Sequence, residues 1–70
     1  MTQTVQAVQA ALDSQGFNTK LLIEKKFTVG TTDTWYVLGG TVYPGRARWV
    51  TSTNSDTAAN QATSITNGMA

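Results

Sequence analysis

Seventy residues, 40% of them hydrophobic and only 13% charged, describe one domain (1–70) at the size where apolar burial and chain entropy nearly cancel. The chain contains neither Cys nor His, which excludes disulfides, thiolate and imidazole metal sites and the commonest general base. The net charge is +1, but all five bases fall within residues 20–48, where two acids leave 5 − 2 = +3, a modest attraction for polyanions.

Residues 3–15 have the spacing of a helix, with Met1, Val5, Val8 and Leu12 in one apolar stripe. Thr2 or Thr4 is placed to cap its start, and Gly16 to end it in the left-handed conformation, with Phe17 folding back onto Leu12. Residues 19–29 alternate as a strand, with Leu21, Ile23, Phe27 and Val29 on one face. Lys25 interrupts that face, and a bulge near Glu24-Lys25-Lys26 would repair part of the register.

Residues 34–43 are aromatic and β-branched. Gly39-Gly40 divides them, either as a hairpin turn or as a kink; one bent strand is the simpler reading, because Pro44-Gly45 already fits the centre of a type II turn. Residues 46–52 form the next strand, with Ala47, Trp49 and Thr51 on one face. From 57 to 67, Ala58, Ala62, Ile65 and Met69 repeat at helical spacing, Gly68 offers a stop, and residues 66–70 form a candidate frayed tail. The expected fold is therefore α+β in the order α-β-β-β-α. It comprises a three-stranded antiparallel meander sheet with both helices packed on one face. This order and length resemble the double-stranded-RNA-binding domain. The basic cluster which that family carries at the start of its second helix is absent, and Asn54-Ser55-Asp56-Thr57-Ala58-Ala59 stand there instead.

No nucleophile–base pair, metal-ligand cluster or phosphate-binding glycine motif occurs, so no catalytic residue, metal, cofactor or small-molecule ligand is inferred and the chain is read as non-enzymatic. Glu24-Lys25-Lys26 is the densest charged cluster and reads as a solvated strand edge. Lys25 would be a nucleophile candidate only if buried. No stretch has the length of a membrane span, and the N-terminus has neither a basic region nor a long apolar run. No membrane partner or signal peptide is expected, and the location would be cytoplasmic or virion-associated.

Two partner readings remain. With no disulfide or metal to add stability, a homo-oligomer is the leading expectation. Leu22, Tyr36, Leu38, Val42 and Val50 would fall opposite Trp35 and Trp49 on an unbroken strand, giving a sheet apolar on both faces. Thirteen Thr residues and few charges are a composition shared with secreted and virion proteins, so a phage or virus accessory or structural component is one expected setting. The alternative is nucleic acid, bound by Lys20, Lys26, Arg46 and Arg48 interleaved with the aromatic residues.

Overall fold

A computed structural model describes residues 3–70. Helix α1 (Val5–Leu12) is followed by β1 (Leu22–Val29), β2 (Thr32–Leu38), β3 (Ala47–Thr53) and α2 (Ala58–Met69). The strands form one antiparallel meander in the order β1-β2-β3, with both helices packed against the same face. The expected α-β-β-β-α arrangement is observed.

Each helix begins on a threonine. Thr4 Oγ1 accepts from the Ala7 amide at 3.0 Å and Thr57 Oγ1 from the Asn60 amide at 3.1 Å, so each satisfies one donor that the first turn leaves unpaired. The last turn of α1 widens into a π-type turn over Asp13–Phe17, and Gly16 ends it at φ +96°, the left-handed geometry anticipated from its position. Thr2 and Met1 lie outside the described residues.

The core lies between the helices and the sheet. Val8 and Leu12 of α1, Ile23 of β1, Trp35 and Val37 of β2, Val50 of β3, and Ala62, Ile65 and Met69 of α2 are buried together. Each large aliphatic side chain so buried contributes about 1.5–3 kcal/mol. A polar chain runs through this core. Trp35 Nε1 donates to Ser52 Oγ at 2.8 Å, Ser52 Oγ donates to Gln61 Oε1 at 2.8 Å, and Gln61 Nε2 donates to the Asp56 carbonyl at 3.2 Å. Every polar side chain in the series has a partner, which is the condition for burying it without a penalty.

Several expectations are corrected. The bent strand over 34–43 does not form: β2 ends at Leu38, and Gly39–Arg46 is a compact loop that folds Val42 and Tyr43 onto the core. The paired glycines are neither a hairpin turn nor a kink but two close approaches. A Cβ on Gly39 would lie 2.3 Å from the Tyr43 carbonyl oxygen, and one on Gly40 (φ +54°) 2.1 Å from that of Lys20. The expected Pro44-Gly45 turn is present, with Arg46 N–H donating to Tyr43 O at 3.0 Å and Gly45 at φ +77°.

The anticipated bulge falls between Ile23 and Lys25, and it splits the apolar set of β1: Ile23 stays against the helices while Phe27 and Val29 turn to the opposite face. Val50 is also displaced from its expected place, because the register pairs Trp35 with Val50 and Tyr36 with Trp49. Val50 is thus buried under α2, and Trp49 occupies the face opposite Trp35. Finally, α2 runs through Gly68 to Met69. A Cβ on Gly68 would lie 2.5 Å from Val50 Cγ1, so this glycine allows close helix–strand packing and does not stop the helix.

Gly40→Ala is expected to lower unfolding free energy by at least about 2 kcal/mol in urea titrations, since it adds a left-handed penalty to a backbone collision. Gly30→Ala, where φ is also positive (+60°) but no atom lies within 4 Å, should cost less.

Candidate functional site

The face of the sheet turned away from the helices carries the exposed large hydrophobic side chains of the described residues. Leu22 (54% exposed), Phe27 (47%), Val29 (73%) and Trp49 (52%) lie on it, with Tyr36 and Leu38 half-buried beside them. Trp49 is the hub. Its ring centroid is 4.8 Å from that of Tyr36 and 5.5 Å from that of Phe27, tilted at 44° and 41°. Such pairs contribute about 0.5–1.5 kcal/mol each beyond their burial. Lys25 Nζ stands over the same cluster, 5.6 Å from the Trp49 centroid and 5.9 Å from Tyr36.

Of the residues expected at an interface, Leu22, Tyr36 and Leu38 are on this face, whereas Val42 and Val50 are on the core side. Phe27, Lys25 and Trp49 complete the cluster and were not foreseen there. The signals were available in the bulge and in the one-residue parity between β2 and β3. Neither can be counted off a sequence without knowing where the intervening loop ends.

Three of the four basic residues expected to bind nucleic acid have partners within the fold. Arg46 Nη1 donates to the Met69 carbonyl at 2.7 Å and Arg48 Nη1 to the Gly68 carbonyl at 3.2 Å, so both guanidinium groups hold the C-terminal carbonyls of α2 on the covered side. Arg46 also stacks on Tyr43, its Cζ 4.8 Å from the ring centroid. Lys26 Nζ donates to the Gln3 carbonyl at 2.7 Å, lies 3.8 Å from Asp33 Oδ1 and stands 5.4 Å from the Trp35 centroid. Lys20 is exposed in the segment before β1.

Asp33 is fully buried. Its Oδ1 accepts from Thr28 Oγ1 at 2.5 Å, while Oδ2 has no hydrogen-bond partner among the described residues. Lys26 is therefore the counter-charge of a buried carboxylate.

A groove of about 310 Å³ beside the end of α1 is lined by Gln9, Asp13, Asn18, Thr19, Leu21 and Leu22. Its central side chain is already engaged within the fold. The Gln9 carboxamide donates to Asp13 Oδ1 at 3.1 Å and to the Leu21 carbonyl at 3.0 Å, and accepts from the Ile23 amide at 2.8 Å. Gln9 thereby pairs the outer edge of β1 as another strand would. Among the described residues no three acidic side chains cluster in a way that could hold a metal ion, and no helix is long and apolar enough to cross a membrane.

No protein-family model, curated protein or solved structure matches the chain.

In a Trp49→Phe protein the remaining tryptophan, Trp35, should resist acrylamide. In Trp35→Phe, Trp49 should be quenched several-fold more strongly, which checks the assignment of the two faces. Lys26→Met should destabilise the domain by about 3 kcal/mol because it leaves a buried carboxylate uncompensated. Lys26→Met/Asp33→Asn should recover part of that loss in the same urea assay.

Proposed function

We propose that this chain is a non-enzymatic, self-associating module that assembles with further copies of itself through the open face of its sheet. The observation that carries the proposal is the Phe27–Tyr36–Trp49 cluster, which is continuous with Leu22, Leu38 and Val29 and remains half in water in the single chain. Aromatic residues gathered at the centre of an exposed face are the groups that dominate association energies once desolvated. A second copy is the occupant best suited to it, because the net charge of +1 opposes self-association only weakly.

Nucleic acid is the second reading, supported by Lys25 standing over Tyr36 and Trp49 on the same face. It is the weaker of the two, because Arg46, Arg48 and Lys26 have partners within the fold and leave Lys25 as the cation of the cluster.

Sedimentation velocity from micromolar to millimolar concentration should reveal an oligomer that dissociates on dilution. Phe27→Glu should weaken that association at least about tenfold while leaving the circular dichroism unchanged. A wild-type protein that stays strictly monomeric at millimolar concentration would overturn the proposal. Titrating Trp49 fluorescence with a single-stranded oligonucleotide at low salt tests the second reading, and a flat curve removes it.

A further inference from the structure

The two outer edges of the sheet differ in kind. On β1 the edge carries a bulge and the Glu24-Lys25-Lys26 charges, and its first positions are paired by the Gln9 carboxamide. These are the devices that stop a strand from pairing with another chain. On β3 none of them is present among the described residues. Its sequence, Ala-Arg-Trp-Val-Thr-Ser-Thr, has no Pro and no acidic residue, and its one cation, Arg48, extends to the C-terminus of α2.

The hydrogen-bond phase of β3 follows from its two ends. Gly39 N–H donates to Arg46 O at 2.7 Å and Asn54 N–H to Thr31 O at 2.8 Å, in line with the β2–β3 register. By the antiparallel alternation, the even-numbered residues between them bond to β2. Ala47, Trp49 and Thr51 therefore aim their N–H and C=O groups outward, and all three residues are exposed.

We infer that β3 pairs antiparallel with β3 of a second copy, about a twofold axis passing beside Trp49. In that register Trp49 faces Trp49 of the second copy, and Ala47 faces Thr51 in both directions. Each opposed pair exchanges two hydrogen bonds, so six bonds satisfy every outward group of Ala47, Trp49 and Thr51 on both chains. The strand is self-complementary in this sense: the match closes on itself and leaves none of these groups over.

A second copy fits better than an extended peptide because of area. Seven-residue strands in a three-stranded sheet give a face of roughly 330 Å², less than half of the roughly 800 Å² that each partner of a stable complex covers. Edge pairing joins two such faces into a six-stranded surface of roughly 660 Å², with both aromatic clusters meeting at its centre. A peptide strand would fill the edge but add no second cluster. This inference rests on the self-association reading and specifies how the open face doubles in extent toward that size.

The test is amide hydrogen exchange on the wild-type oligomer and on two variants. In the wild type, the Ala47, Trp49 and Thr51 amides should exchange at least about tenfold more slowly in the oligomer than in the diluted monomer. Ala47→Pro removes two of the six bonds at a strand-start position whose N–H is not needed by the monomer. It should weaken edge pairing about 30-fold, with the same circular dichroism. Phe27→Glu lies on β1 and should leave the three amides protected in a residual dimer. An oligomer whose three amides exchange as fast as in the monomer overturns edge pairing and leaves the open-face reading standing. Protected amides in an oligomer that Phe27→Glu does not weaken would support edge pairing and overturn the open-face reading.

Discussion

The indole of Trp35 organises this domain. It is fully buried at the centre of the middle strand, and its N–H has to find an acceptor away from water. Ser52 on β3 supplies that acceptor and donates its own hydrogen bond to Gln61 on α2. One side chain thus ties the middle strand to an outer strand and to a helix, through bonds that would be costly to leave unmade. Once Trp35 faces the helices, the period of the strand sends Tyr36 to the other side, and the β2–β3 register sends Trp49 with it. The exposed cluster is a consequence of the buried one.

Charge follows the same division. The covered side takes most of the cations: Lys26 beside the buried Asp33, and Arg46 and Arg48 at the C-terminal carbonyls of α2. These are structural uses with clear physical reasons, namely compensation of a buried carboxylate and of a helix terminus. Lys25 is left on the open face because the bulge moves it there, where the rings of Tyr36 and Trp49 receive it.

The bulge also makes the sheet asymmetric in its capacity to pair. It bends the β1 edge beside the Glu24-Lys25-Lys26 charges, and Gln9 pairs the first positions of that edge. The β3 edge is straight by comparison and open along Ala47–Thr51. In a domain of this size the half-exposed aromatic face thus lies beside an unpaired strand edge.

The sequence by itself determined the elements and their order, because helix and strand periods, threonine caps and the glycine at position 16 are local signals. It also placed the bulge near Glu24 and the turn at Pro44-Gly45, where residue chemistry and backbone geometry coincide. Three of the five residues expected at an interface, Leu22, Tyr36 and Leu38, reached the open face for the same local reason. Tertiary structure alone decided where Trp49, Phe27, Val42 and Val50 would go. A one-residue change in register or in loop length inverts every side chain that follows, and no local pattern reports it. It likewise decided what Gly39, Gly40 and Gly68 are for. Their role is set by the atoms of Tyr43, Lys20 and Val50, which are brought close only when the chain has closed on itself.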